Sequence, residues 1–264
     1  MRVLILGSGP AGLIAAQAAS QLGIEDIVIL SKKRKSELFG AQYLHVPIPE
    51  ATQTAPVQIR YRLIGSPEQY RKKVYGNNWN GFVSPEELNG NHLAWDIRET
   101  YDFLWKKFEG AIEDVIIDPI EINHSLLRLR PAFTFSTIPL PSICIRSYHK
   151  FQAEYIWAMG DAPARDQIVP VKMFSNSVLC NSLPSPSWYR VSRIFDHSTI
   201  EWPWGAKEIG DLLDKASPVT KPLKTDCHCW PSIVKIGRYG KWEKGELSHT
   251  AFRIVTEKIT NGNG

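Results

Sequence analysis

The first thirty-one residues, MRVLILGSGPAGLIAAQAASQLGIEDIVILS, leave little choice of fold. Residues 2–6 (RVLIL) are, after Arg2, an unbroken apolar run bounded by glycine, as in a strand buried on both faces of a parallel sheet. Residues 10–22 carry Ala and Leu at helical spacing, and Gly23 stops the helix. Residues 26–30 (DIVIL) supply a second strand, which completes a βαβ unit. In that context Gly7-Ser8-Gly9-Pro10-Ala11-Gly12 reads as a dinucleotide turn. Gly7 permits the tight turn, Gly9 lets the backbone approach a pyrophosphate, and Gly12 allows helix to pack closely on strand. The phosphates are expected at the positive end of the helix, with Ser8, Pro10 and Ala11 lining the turn.

One position breaks the pattern. An Asp or Glu near the end of the second strand normally grips the ribose 2′-hydroxyl. Here Ser31 stands there, followed by Lys32, Lys33, Arg34 and Lys35. A serine supplies one hydrogen bond where a carboxylate binds both ribose hydroxyls. The basic run is either a charged surface turn or a clamp for an extra phosphate. The second alternative would suit the 2′-phosphate of NADP, which keeps NADP or NAD open as cofactor.

Beyond the unit, residues 57–64 (VQIRYRLI) alternate as a half-exposed strand, and RKKVYG is expected to pair nearby. A helix is expected over 95–108, with Asp96 as its cap or in its first turn. EDVIID and residues 133–138 read as further strands of the first sheet. Residues 150–206, heavy in Trp and Tyr, suit short antiparallel strands roofing a pocket. Residues 207–226 read as a helix-like stretch and a Pro/Lys linker. A strand, a Gly237-Arg238-Tyr239-Gly240 turn and a final helix with Ser248 as N-cap end the chain. The expected fold is α/β: a Rossmann-like parallel-sheet domain (1–50, 95–148 and 220–264) with an interleaved smaller antiparallel β region (51–94 and 149–219) for substrate.

The second glycine turn, taken with GSGPAG and Phe39-Gly40, resembles the flavoprotein superfamily that includes UDP-galactopyranose mutase, protoporphyrinogen oxidase and the amine oxidases. The resemblance covers about 1–50 and 226–258, and 95–145 only by element order. It implies that Gly7, Gly9 and Gly12 hold the pyrophosphate of FAD. It also implies that Gly40, with Ala41 and Gln42, stands for a Gly-Gly loop that nears the flavin, one glycine being replaced by Phe39. Gly237, Arg238 and Gly240, with Tyr239 between them, would close over the pyrophosphate and ribityl chain. At the adenosine end, Ser31, Lys32 and Lys33 are the candidates. Gly160-Asp161 in YIWAMGDAP echoes a ribityl motif of other flavoproteins, and is either a flavin contact or a turn of the substrate region.

His45 follows the Phe39-Gly40 loop and, by the same resemblance, would lie over the flavin as a polar or acid/base group. Cys227 and Cys229 precede the C-terminal strand, so either is a candidate thiol near the flavin or an inert buried one. Their one-residue spacing is poor for zinc and no second Cys/His pair is expected nearby, so no metal is expected. Arg60, Arg62, Tyr189, Arg190 and Trp202 are the candidate substrate contacts, by charge and aromatic surface.

Composition fits an ordinary globular chain: 43% hydrophobic and 22% charged residues argue against disorder. The longest apolar stretches fall far short of the roughly 20 residues that span a bilayer, and no signal-peptide pattern opens the chain. Four cysteines in 264 residues suggest no disulfide framework. The expectation is a cytoplasmic, FAD-binding oxidoreductase acting on a small-molecule or nucleotide substrate. Two alternatives stay open: a flavin-dependent enzyme acting on nucleic acid or a nucleotide, and a dinucleotide-binding protein without turnover. The net charge of +4 is compatible with an anionic partner and requires none.

Overall fold

The computed structural model describes all residues except 33–37, 39–41, 78, 80, 161–173, 213–214 and 263–264, and the backbone alone of 208, 211 and 212. Its strands are β1 (Arg2–Leu6), β2 (Asp26–Ser31), β3 (Val57–Ile64), β4 (Asn91–Ala94), β5 (Ile112–Asp114) and β6 (Phe133–Ser136). They continue with β7 (Phe151–Gly160), β8 (Ser177–Asn181), β9 (Arg190–Ile194), β10 (His197–Pro203), β11 (Ser217–Thr225) and β12 (Val234–Lys235). Five form a sheet in the order β12-β6-β1-β2-β5. Every pairing in it is parallel.

The pleat of β1 divides the core of this sheet. Val3 and Ile5 face a layer with the helices Pro10–Gln21, Ile97–Phe108 and Thr250–Gly262. Leu4 and Leu6 face the opposite layer with Leu140, Ile143, Cys227, Cys229 and Ile233. All four β1 side chains are fully buried. Burial of a residue this size contributes about 1.5–3 kcal/mol, so this strand is a main support of the fold. Gly23, at φ +77, ends the first helix, its amide bonded to the Ser20 carbonyl at 3.0 Å. Asp96 caps Ile97–Phe108 by accepting from the amides of Arg98 (2.8 Å) and Glu99 (3.4 Å).

The second sheet has seven strands in the order β11-β7-β10-β9-β8-β3-β4. It is mixed rather than purely antiparallel, because β3 and β8 run parallel. Three further expectations are corrected. RKKVYG forms no strand: residues 67–75 are a helix capped by Ser66, whose hydroxyl accepts from Gln69 N at 3.2 Å. The EDVIID strand is shortened to β5, and Asp118 instead caps the helix Pro119–Leu129. The Pro/Lys linker contains the nine-residue strand β11, paired antiparallel with β7. Pro218 and Pro222 are tolerated because β11 is an edge strand, where a missing N–H need not break a ladder. The final helix begins at Thr250, two residues after Ser248.

Candidate dinucleotide-binding site

The carboxyl ends of β1, β2, β6 and β12 meet at the first glycine turn. Gly7 N donates to Leu30 O (2.8 Å), Thr137 N to Leu6 O (2.9 Å) and Ile236 N to Ser136 O (2.9 Å). Because β1 has β2 on one side and β6 on the other, the crevice at its end is the topological switch point, where open α/β sheets bind ligands.

Each glycine of the turn has its own reason. Gly7 sits at φ +100, and a Cβ there would lie 2.4 Å from Thr137 Oγ1. A Cβ on Gly12 would lie 1.9 Å from the Gly7 carbonyl oxygen, so helix and strand could not close. Gly9 differs: its backbone is ordinary (φ −67) and a Cβ would meet nothing within 4 Å among the described residues. Gly9 N-caps the Pro10–Gln21 helix with no side-chain cap bond. The turn therefore keeps open space beside a helix N-terminus, the setting that suits a phosphate.

Ser31 is 7% exposed, and its oxygen accepts from the Ser8 hydroxyl (2.6 Å) and the Ser8 amide (3.4 Å). It braces the turn from beneath, leaving its own O–H free of these two bonds. Lys32 is exposed at the end of β2. Two supports were not legible in the sequence: Tyr101, whose hydroxyl donates to Ser8 O at 3.0 Å, and Thr137, whose hydroxyl donates to Leu6 O at 3.1 Å. Tyr101 reads there as one more apolar position of an amphipathic helix, and nothing marks its phenol.

The C-terminal glycine segment, a one-turn helix over Gly237–Lys241 rather than the expected open turn, reaches the same place. Gly237 has φ +68, and a Cβ on it would lie 2.9 Å from the Cβ of Ala11. A Cβ on Gly240 would lie 2.3 Å from Ser136 O. Gly7, Ser8, Gly9, Pro10, Ala11, Gly12, Gly237 and Gly240 thus lie together although more than two hundred residues separate the two turns. Tyr239 points elsewhere: its hydroxyl donates to Thr220 O on β11 at 2.9 Å, tying the turn to the second sheet. Arg238 is half-buried and has no carboxylate partner among the described residues. Gln42 is half-buried. Lys33, Gly40, Ala41 and Asp161 lie outside the described residues.

From the adjoining loop, Tyr43 turns toward the second sheet, packing against the cluster that holds Tyr70, Cys180 and Tyr189. Tyr43 and Tyr61 hydrogen-bond to each other, and burial pushes both phenols above their ordinary range. The Arg190 charge opposes that rise. Arg190 is ion-paired with Glu201, which also pairs with Lys221 at 3.6 Å. Burial alone would raise the Glu201 carboxyl, but Arg190 and Lys221 outweigh it and hold it at about 2. Burial pulls the Lys221 ammonium down to about 7 against the attraction of Glu201.

His45 is exposed overall, but one ring face stacks on Tyr43 at 4.5 Å and the His249 ring lies 5.5 Å away. Local desolvation, then the neighbouring imidazoles of His249 and His92, lower it to about 4. It is therefore neutral at pH 7, able to accept a proton and unable to act as a standing cation.

The expected substrate contacts are spread over the second sheet. Tyr189 (0% exposed) and Trp202 (1% exposed) are core residues, in clusters on opposite faces of the second sheet. Their aromatic surface serves packing, which composition alone cannot distinguish from recognition. Arg60 and Arg62 are exposed on β3, alternating with Ile59 and Tyr61. Cys227 and Cys229 pack with Leu4 and Leu6, on the sheet face away from the Pro10–Gln21 helix, so neither adjoins the glycine turn through that face. The expectation that no second Cys/His pair lies near them is also corrected, since folding brings Cys144 and His149 to them.

The residues present fit a dinucleotide. A Cβ on Gly9 would meet no described atom within 4 Å, the helix amides beyond it lack a side-chain cap, and Arg238 carries a positive charge with no carboxylate partner among the described residues. No helix among the described residues is long and apolar enough to cross a membrane.

Comparison with known proteins agrees with this geometry. No curated protein sequence matches the chain significantly. Reduced UDP-galactopyranose mutase superposes with a TM-score of 0.57 at 10% identity, over 100% of this chain and 96% of that one. BrvH, a flavin-dependent halogenase from Brevundimonas sp. BAL3, gives 0.57 at 10% identity, over 98% of this chain and 71% of that one. At such identity the likeness is one of fold. Residues 1–121 match the model of a family described as an FAD binding domain, and the cofactor that this match indicates is FAD.

Proposed function

We propose that the chain is an FAD-dependent oxidoreductase acting on a small anionic molecule. The observation that carries this reading is the meeting of the two glycine segments, with Gly237 against Ala11 and no atom of the described residues within 4 Å of a Cβ on Gly9. A nicotinamide site needs only the first turn, whereas FAD has a ribityl chain and ring beyond its pyrophosphate for a second turn to cover. When bound, FAD supplies electron transfer through its ring. The chain's own residues then have separable tasks. Gly7 to Gly12 and the helix behind them hold the pyrophosphate. Ser31, Tyr101 and Thr137 keep that turn rigid. Arg238 offsets phosphate charge.

In this reading residues 1–50, 95–148 and 220–264 hold the cofactor, and 51–94 with 149–219 form the substrate region. The substrate faces the sheet surface that carries Tyr61, Arg190 and Lys221. Arg190 and a Lys221 that is about half charged at pH 7 stand against the Glu201 carboxylate, and this positive excess motivates the anionic substrate. Binding an anion would also raise Lys221 from about 7 and keep it charged. Tyr43 and neutral His45 border the same space from the cofactor side and orient the substrate by hydrogen bonding.

The test is spectroscopic. Purified protein should carry, or take up, FAD with the paired absorption bands of an oxidised flavin, and NADPH or NADH should bleach them without oxygen. Protein that stays colourless in excess FAD and binds NADPH would overturn the cofactor assignment. Flavin-loaded protein that neither a nicotinamide nor a panel of small organic acids reduces would overturn the oxidoreductase reading.

A further inference from the structure

Two short segments far apart in sequence, Cys144 to His149 and Cys227 to Cys229, close on each other. Cys144 Sγ lies 3.6 Å from Cys227 Sγ and 3.8 Å from Cys229 Sγ. His149 Nδ1 lies 3.2 Å from Cys144 Sγ and 3.6 Å from Cys229 Sγ. All four ligand atoms fall within 4.8 Å of one another. We propose that Cys144, His149, Cys227 and Cys229 form a tetrahedral zinc site that clasps the chain where it passes between the two sheets.

The distances carry the assignment. Zinc holds sulfur at about 2.3 Å and nitrogen at about 2.0–2.1 Å, so a tetrahedron has S–S edges of about 3.8 Å and S–N edges of about 3.6 Å. The S–S edges given above match and the S–N edges come within a few tenths of an ångström. An iron–sulfur cluster would spread its ligands around more than one iron and would need wider spacing. Nor are the sulfurs bonded to each other, since a disulfide would hold them at about 2.05 Å.

The surroundings are those of a built site. Cys144 and His149 lie on the connection from β6 to β7, and Cys227 and Cys229 on the connection from β11 to β12. Phe151 and Thr225 are register partners of β7 and β11, so both ligand pairs follow the same end of one antiparallel ribbon. Asp226 Oδ1 accepts from Lys150 N at 2.7 Å, and the Thr225 hydroxyl donates to Lys150 O at 2.9 Å. Trp230 Nε1 donates to Ile143 O at 2.8 Å. These bonds fix both connections whether or not a metal is bound. Backbone N–H groups also turn to the sulfurs, that of Ile145 to Cys229 and that of Cys229 to Cys227. Such second-layer bonds orient thiolates. Three thiolates with a neutral imidazole leave a zinc complex one negative charge, and the Lys235 ammonium, bonded to the Cys229 and Trp230 carbonyls, lies beside it.

The role is structural. All four positions are taken by protein, so no coordination site is open for chemistry. The fourth cysteine, Cys180, is buried in the core of the second sheet and is an internal control.

The experiment is metal analysis of full-length protein purified without chelators from zinc-supplemented cells. The expected content is about one zinc per chain. Titrating the thiols with a mercurial should release it to a metallochromic dye. Cobalt exchange should give intense thiolate-to-metal charge-transfer bands and tetrahedral visible bands. Cys227→Ser and His149→Ala should lose at least most of the zinc, and Cys180→Ser should keep it. If either ligand variant is insoluble, the wild-type zinc content and cobalt spectrum decide. Zinc-free wild-type protein without cobalt bands, a disulfide among these cysteines, or iron with acid-labile sulfide would each overturn the proposal.

Discussion

Gly9→Ala separates cofactor binding from folding. A methyl at residue 9 meets no described protein atom within 4 Å, and φ −67 is comfortable for alanine. Reduced freedom of the unfolded chain favours the variant by about 0.4–1 kcal/mol, and alanine is a poorer N-cap than glycine by a similar amount. Apoprotein stability should therefore stay within about 1 kcal/mol of wild type. If the pyrophosphate approaches the backbone there, the same methyl crowds it, and a misfit of about 1–3 kcal/mol weakens FAD binding roughly 5- to 150-fold. Urea unfolding of apoprotein gives the first quantity, and quenching of flavin fluorescence on titration the second. Gly12→Ala is the counterpart, because its methyl would stand 1.9 Å from a backbone oxygen, so that variant should lose folding stability first. Unchanged FAD affinity in Gly9→Ala would refute this placement of the pyrophosphate.

Further outcomes are expected. Glu201→Gln leaves Arg190 and Lys221 facing each other without a counter-charge, which should cost about 3–5 kcal/mol in urea unfolding, and Lys221 should titrate below its value of about 7. By NMR, His45 should titrate near 4 in the folded chain. Its folded pKa lies below the unfolded value, so its contribution to stability is complete above about pH 6.5 and is lost as pH falls toward 4. A His45 titrating with an ordinary midpoint would contradict the crowded Tyr43–His249 setting. Ser31→Ala removes the acceptor of the buried Ser8 hydroxyl and should destabilise the apoprotein by about 1–3 kcal/mol; no change in unfolding would exclude the bracing role.

The βαβ unit was legible because everything that specifies it is local: apolar run, glycine turn, helix and strand within thirty-one residues. The helix with its Asp96 cap was legible for the same reason. RKKVYG was misread because its helix depends on the Ser66-Pro67 start, which marks the boundary, while its own residues carry only basic charge. Strand β11 was hidden by its prolines, which exclude a central strand but not an edge. At the site, the glycines could be named from spacing, whereas Tyr101 and Thr137 act through one hydroxyl each, and no pattern distinguishes such a hydroxyl from a surface one. Ser31 looked like a missing ribose ligand; its bond to Ser8 makes it part of the turn. The cysteine cluster could not be read at all, because its two halves are about eighty residues apart and only the pairing of β7 with β11 joins them.

Strand β11 has a consequence for how copies of this protein meet. An unprotected sheet edge offers a row of amides and carbonyls on which a second chain can add a strand and begin to aggregate. Pro218 and Pro222 remove two donors from this edge, and the exposed Lys224 would carry charge toward any incoming strand. The opposite edge, β4, is only four residues long. A seven-stranded sheet is thus closed to growth at one end by chemistry and at the other by length.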